Sequence, residues 1–136
     1  MSELQESISG LGPFVMYFGL SLVALVTFKK VYTMITPYDD WQLVKDQNMA
    51  AAAALFGAII GFSIALSSAA SQSVSLLDFA IWAVVALIAQ LIAFSLVRLF
   101  MPKIVQRIKA GELPAGIVLG GVSIAIGLLN AGSMSY

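Results

Sequence analysis

Four apolar runs of about twenty residues each constrain the fold of this chain more than any other feature. They lie near residues 13–31, 49–70, 77–100 and 114–132. A run of about 20 mainly apolar residues is long enough to cross a bilayer as an α-helix, and such a helix satisfies its own backbone groups. The runs therefore predict an all-α membrane protein with four transmembrane helices, formed as a single domain over residues 1–136.

The composition supports the same class and excludes several functions. Hydrophobic residues make up 60% of the chain and charged residues 10%, whereas a soluble domain is about 25% charged. The net charge is zero, so we expect the lipid bilayer and no nucleic acid as a partner. Histidine and cysteine are absent, which removes the commonest metal ligands and acid–base groups. We therefore expect no metal, no cofactor and no enzymatic activity. The aspartates at the surface do not change this expectation, because we interpret them as too exposed for their pKa values to be shifted.

The basic residues predict the orientation of the helices. All seven lie in or beside the first and third connectors, and none lies in the N-terminal tail, the 71–76 connector or the C-terminus. They are Lys29, Lys30, Lys45, Arg98, Lys103, Arg107 and Lys109. Cytoplasmic loops carry an excess of lysine and arginine. We therefore expect both of these connectors in the cytoplasm and both termini on the opposite side of the membrane.

The first connector, residues 35–51, is the longest polar stretch of the chain. Thr36 is a favourable helix cap and Pro37 suits a first helical position, so we predict a short helix that begins there. A spacing of three places Tyr38 and Trp41 on one face, which is typical of an aromatic anchor at a membrane surface. We therefore expect an amphipathic interfacial helix in this connector.

The acidic residues of this connector leave two interpretations open. Asp39 and Asp40, beside Trp41, either lie on the solvated face of the short helix or form a docking surface for a peripheral cytoplasmic protein. Asn48 follows them and fits the N-cap of the second span.

A shift of 64 residues aligns the second half of the chain with the first and places Gly57 opposite Gly121. Each half reads as a span, an amphipathic connector and a glycine-containing span. The connector of the second half is basic, and its charged residues are Lys103, Arg107 and Lys109. Both halves enter the membrane from the same side. We therefore predict two parallel two-helix repeats, about 11–70 and about 76–134, unlike the inverted pairs of many transporters.

Small residues recur at helical spacing in the second and fourth spans. They are Ala53, Gly57, Gly61, Ala65, Gly116, Gly120 and Gly121. Such residues let helix backbones approach closely. We expect these faces to mediate helix packing, within one chain or between the copies of a homo-oligomer.

Three polar side chains lie inside the spans. Gln90 is near the middle of the third span, Asn130 is near the end of the fourth, and Ser67 is in the second. A buried amide without a partner costs several kcal/mol in hydrocarbon, on the order of 2–7, so Gln90 should face protein or water. We expect an interhelical hydrogen bond at Gln90, and the alternative is a ligand of a pore or a substrate.

Three stretches carry a resemblance to a known family: ITPYDDWQLVKDQNMAAA, QLIAFSLVRLFMP and GLLNAGSM. Together they closely resemble the YjfL-like bacterial inner-membrane proteins, an uncharacterised family of about this length. The resemblance covers essentially the whole chain. It implies a multi-pass protein of the bacterial inner membrane with no catalytic residues, and for such a protein the orientation predicted by the basic residues places both termini in the periplasm. It also implies a link with envelope stress, because some relatives are encoded near phage-shock-type membrane-stress proteins.

Two hypotheses of function remain open at this point. The first is a structural, scaffolding or envelope-stress-associated membrane component that presents its cytoplasmic connectors to a peripheral protein or to anionic lipid. The second is a small oligomeric channel or transporter with a polar path near Gln90. Four helices are few for a pathway, so the second hypothesis requires more than one copy of the chain.

Overall fold

A computed structural model describes residues 2–134, and all regular structure within that range is helical. Helices α1 to α7 are Glu3–Ser9, Leu11–Ile35, Asp40–Lys45, Met49–Gln72, Leu76–Phe100, Ile104–Lys109 and Leu113–Ser133. Helices α2, α4, α5 and α7 are long and apolar enough to cross a membrane, and α1 continues the apolar segment of α2. The predicted all-α class with four candidate membrane helices is therefore confirmed. The sequence analysis did not predict α1.

Proline ends α2 and so fixes the start of the first connector. Thr36 has an extended backbone with ψ 133°, as sterics require of a residue that precedes proline. Helix α3 begins only at Asp40, and its cap is Asp39, whose carboxylate accepts a hydrogen bond from the Gln42 backbone N–H at 3.1 Å. The prediction that Thr36 caps this helix and that Pro37 opens it is therefore wrong.

Helices α4 and α7 make the closest contact of the bundle and run parallel. A Cβ atom added to Gly57 would lie 2.3 Å from the Cα of Gly120, and one added to Gly127 would lie 2.1 Å from the carbonyl oxygen of Gly61. These distances are far below van der Waals contact, so only glycine fits at these positions. The two backbones therefore touch directly over several turns.

Helix α2 lies at the outside of the bundle. It packs against α4 and α5, while α5 packs against α4 and α7. In the most apolar 18-residue stretch of the first membrane segment, 6% of the residues are buried, compared with 56% in the corresponding stretch of α4. The inner contacts of α2 are aromatic: Phe28 stacks on Phe62 with ring centroids 4.4 Å apart, and Tyr32 meets Phe94 edge-on at 6.0 Å. Helix α4 is therefore the central helix.

The two connectors have the same local geometry at a shift of 64 residues. Helices α3 and α6 each contain six residues and begin 64 positions apart, as do α4 and α7. A left-handed residue follows each short helix, Gln47 with φ 64° and Gly111 with φ 81°. The backbone N–H of the next residue donates a hydrogen bond to the carbonyl oxygen five residues earlier. The N···O distance is 2.9 Å from Asn48 to Leu43 and 3.0 Å from Glu112 to Arg107.

Candidate functional site

The end of the bundle that holds α3 and α6, called the connector end below, is organised by one side chain. Asn48 caps α4, as predicted, because its Oδ1 accepts a hydrogen bond from the Ala51 N–H at 3.0 Å. Its Nδ2 donates to the carbonyl oxygen of Ile108 in α6 at 2.8 Å. One amide thus fixes the first residues of α4 against the second connector, 60 residues away along the chain.

Asp40 is buried inside the connector end, so its assignment to a solvated face or a docking surface is wrong. Its side chain is 0% exposed, and the Thr36 hydroxyl donates a hydrogen bond to its Oδ2. The bend at Pro37 turns the first residue of α3 toward the bundle, whereas Asp39 remains exposed. Burial raises the pKa of Asp40 to about 6, although the Thr36 hydrogen bond opposes the shift. The expectation of uniformly exposed aspartates therefore fails at this residue.

Three buried polar atoms near Asp40 have no hydrogen-bond partner within the described residues. They are Asp40 Oδ1 and the hydroxyl groups of Tyr32 and Tyr38. Burial, and after it the charge of Asp40, raise the pKa of the Tyr38 phenol, which keeps that phenol a neutral donor. With a pKa of about 6, Asp40 is the group of this cluster expected to change its charge in mildly acidic solution. Within the described part of the chain, no group of acidic residues could hold a metal ion.

Trp41 lies at the edge of the connector end and is 40% exposed. The Nζ of Lys29 lies 4.0 Å from the centroid of its ring, and the Nζ of Lys45 lies 6.0 Å away. Tyr38 precedes α3 and is buried, so the two aromatic residues do not form the shared anchor face that the sequence predicted. Tyr38 therefore belongs to the interior of the connector end, whereas Trp41 belongs to its surface.

Helix α6 has an apolar face toward the bundle and a basic face outward. Ile104 and Ile108 are fully buried, and Lys103 and Lys109 are exposed. Arg107 is half-buried and pairs with a carboxylate of the same connector, its Nε lying 3.3 Å from Oε1 of Glu112. The predicted amphipathic pattern of this connector thus places its positive charge on the exterior.

Gln90 is fully buried between the long helices. Its Nε2 donates to the backbone carbonyl of Ser123 at 3.0 Å, which is the interhelical bond expected of it. Gly61 makes room for this amide, because a Cβ there would lie 2.8 Å from the Gln90 nitrogen. The other two polar candidates are not brought to it. Asn130 lies about two turns beyond Ser123 on α7, and Ser67 is exposed on α4, where it lines a groove with α2.

Most of the small residues predicted for packing lie at the α4–α7 contact. These are Ala53, Gly57, Gly61, Gly116 and Gly120. Ala65 is buried, but Gly121 is exposed, and nothing lies within 4 Å of a Cβ added there. Gly121 therefore takes no part in packing within the chain. The sequence analysis missed Gly127 and Ser123, which continue the spacing of three and four that starts at Gly116.

Comparison with known proteins gives consistent matches. The family model described as Domain of Unknown Function (DUF350) matches residues 6–134. The chain is 38% identical over 120 residues to the UPF0719 inner membrane protein YjfL of Escherichia coli (strain K12), covering 88% of this chain and 91% of that protein. It is 27% identical over 117 residues to the UPF0719 transmembrane protein YshE of Bacillus subtilis (strain 168), covering 85% and 87%. No solved structure matches it.

Proposed function

This chain belongs to the DUF350 family, and we propose that it is a non-enzymatic scaffold of the bacterial inner membrane whose connector end faces the cytoplasm. The observation that carries this proposal is the Asn48 hydrogen bond to Ile108, which joins the two connectors of the bundle. A surface built from two fixed connectors suits the docking of a peripheral protein, because little further ordering is needed on binding.

The polar contacts inside the bundle support a scaffold more than a conduit. Gln90 bonds to the Ser123 carbonyl of α7, and the Ser68 hydroxyl of α4 donates to the Ala131 carbonyl of α7 at 3.2 Å. Both bonds join one long helix to another. The alternative function, a channel or transporter with a polar path near Gln90, lacks comparable support because the chain encloses that amide.

The exposed polar residues of the connectors suggest the chemistry of the partner. The exposed side chains around α3 include Asp39, Lys45 and Asp46, and those around α6 include Lys103, Lys109 and Glu112. Both connectors therefore expose charges of both signs. We propose a partner with the complementary distribution of charge, in place of the earlier docking surface that included Asp40.

The parallel repeat belongs to the same proposal. The 64-residue shift between the short helices, and the left-handed residues Gln47 and Gly111 that follow them, support two halves of common design. The parallel course of α4 and α7 in direct contact agrees with a pseudo-twofold axis along the bundle. A homo-oligomer remains a prediction, for which the exposed outer face of α2 offers a surface.

Photo-crosslinking in cells tests the docking surface. A photoreactive residue replaces Gln42 or Gln106, both exposed at the connector end, and Val74, 90% exposed at the opposite end, is the matched control position. We expect one discrete protein adduct from the connector positions only, and we expect Asp46→Lys combined with Lys109→Glu to abolish it. Adducts with lipid alone, or a protein adduct that survives the charge reversal, would contradict the proposal.

A further inference from the structure

A cleft between α2 and α4 opens on the outer surface of the bundle beside the connector end. Its volume is about 290 Å³. Its wall consists of Leu25, Val26, Lys29, Trp41, Phe56 and Ile59. Apart from the lysine and the indole N–H, these side chains are apolar. The lysine and the tryptophan belong to the end nearest the connectors, so the cleft is apolar along its length and cationic at one end.

The ammonium groups at that end form no ion pair within the described residues. Lys29 and Lys45 flank the Trp41 ring at 4.0 and 6.0 Å. Within residues 2–134 the sole ion pair with an N···O distance of 4.0 Å or less joins Arg107 to Glu112. Two ammonium groups on one indole ring therefore lack a carboxylate partner.

We propose that this cleft binds a single phospholipid with an anionic headgroup. One acyl chain lies along Leu25 and Phe56 in the cleft, and the headgroup phosphate lies beside Lys29, with Lys45 outside the cleft wall as the second ammonium group near the Trp41 ring. Tryptophan is enriched where a membrane helix meets the headgroup region, and basic pockets between transmembrane helices bind anionic headgroups.

Other occupants satisfy only half of the site. A soluble anion would pair with Lys29 and Lys45 but would leave the apolar wall without contacts. An apolar helix from a second copy would fill the wall but would bury two unpaired ammonium groups, which is costly. A phospholipid supplies an apolar chain and a phosphate in one molecule. This site goes beyond the proposed scaffold function, because it does not require the docking of any protein.

Fluorescence quenching by brominated lipid measures occupancy of this cleft directly. The chain contains two tryptophans, so Trp82→Phe leaves Trp41 as the single tryptophan, which is excited selectively at the long-wavelength edge where tyrosine does not absorb. This chain is reconstituted in vesicles of phosphatidylcholine and phosphatidylglycerol in which one of the two lipids is brominated. We expect brominated phosphatidylglycerol to quench Trp41 more strongly at equal mole fraction, with a relative binding constant about fivefold or more in its favour.

Matched charge variants locate the preference. In the Trp82→Phe chain, Lys29→Gln combined with Lys45→Gln is expected to bring the relative binding constant close to one. Lys103→Gln combined with Lys109→Gln removes the same charge from the second connector and is expected to leave the preference unchanged. Each single replacement, Lys29→Gln or Lys45→Gln, should lower the logarithm of the relative binding constant by about half. These single variants provide the test if the double variant does not reconstitute.

Two results would overturn the proposal. One is equal quenching of Trp41 by the two brominated lipids in the Trp82→Phe chain with all lysines present. The other is a preference that survives the replacements at Lys29 and Lys45 and disappears with those at Lys103 and Lys109. The first result would leave the scaffold proposal untouched, because the photo-crosslinks at Gln42 and Gln106 do not depend on lipid in the cleft.

Discussion

Helices α7 and α2 both pack against α4, but they do so by opposite means. Helix α7 reaches α4 through glycines such as Gly57 and Gly120, so that backbone touches backbone. Helix α2 reaches it through large rings, with Phe28 stacked on Phe62. In a bilayer the hydrophobic effect does not drive helices together, and packing replaces it. We therefore expect the first contact to be sensitive to an added side chain and the second to be sensitive to the loss of a ring.

Helix α2 also differs between its two halves. Phe28 and Tyr32, near the connector end, are fully buried, whereas Phe14 and Phe18 in the other half are more than half exposed and stack on each other. That other half borders a groove of about 580 Å³ shared with α4. Helix α2 is thus held mainly at the connector end, whereas α7 contacts α4 along several turns.

Overpacking the α4–α7 contact should have the largest effect. Gly57→Leu forces the two backbones apart, and we expect a loss of about 3 kcal/mol or more in the free energy of unfolding. Gly121→Leu is the matched control, because a Cβ at that position meets nothing within 4 Å. Thermal unfolding in detergent measures both. Similar losses for both variants would contradict the direct backbone contact.

Removing a ring from the α2 contact should cost less. Phe28→Ala leaves a cavity against Phe62, and we expect a loss of about 2–3 kcal/mol, below the usual range for a water-soluble core because lipid can refill the space. Hydrogen exchange should increase in α2 and not in α7. Phe14→Ala removes an exposed ring and serves as the control. An increase spread evenly over both helices would contradict the separate attachment of α2.

The charge of Asp40 should make the connector end sensitive to pH. Its pKa of about 6 in the folded chain, compared with 3.8 for the free side chain, means that the folded state binds more protons between these values. Stability should therefore fall as pH rises from about 4 to about 6 and stay level above that, with a total loss on the order of 2–3 kcal/mol. The slope of unfolding temperature against pH measures this loss.

The variant Asp40→Asn tests the cause of that slope. It keeps an acceptor for the Thr36 hydroxyl and carries no charge, so we expect it to remove the slope and to raise the unfolding temperature at pH 8. Asp39→Asn replaces the exposed neighbour and should leave most of the slope in place, because burial is the main cause of the raised pKa of Asp40 and the charge of Asp39 is the smallest. A slope that persists in Asp40→Asn would show that another group causes it.

The smallest effect is expected at the single interhelical bond of Gln90. Gln90→Leu removes the bond to the Ser123 carbonyl and should cost about 1 kcal/mol, because such bonds contribute roughly 0.6–2 kcal/mol in membrane proteins. Gln72→Leu changes an exposed amide at the end of α4 and is the control. If Gln90→Leu instead left stability unchanged and altered ion flux in liposomes, the channel hypothesis would replace the scaffold.

The sequence predicted the long helices well because their length is set by the bilayer. The fourth span was expected near residues 114–132, and α7 is Leu113–Ser133. The spacing of small residues likewise pointed to α4 and α7. It pointed to Gly121 as well as Gly120, since periodicity alone does not tell which of two adjacent glycines faces the partner helix.

The connector was harder to predict because one bend decides which side chains are buried. The extended residue before Pro37 turns Asp40 inward, and no apolar periodicity marks that change. The available signal was Thr36, four residues before Asp40 and able to donate to it. The bond from Asn48 to Ile108 joins residues 60 apart, a tertiary contact that a single sequence does not reveal.

Thiol labelling in spheroplasts tests the central claim, a four-span bundle with both short-helix connectors on the cytoplasmic side. The chain has no cysteine, so single cysteines at the exposed positions Ser7, Val74, Gln42 and Lys109 each report one location. A membrane-impermeant maleimide should label positions 7 and 74 in intact spheroplasts and positions 42 and 109 only after lysis. Labelling of Gln42→Cys or Lys109→Cys in intact spheroplasts, to the level of Val74→Cys, would contradict the account.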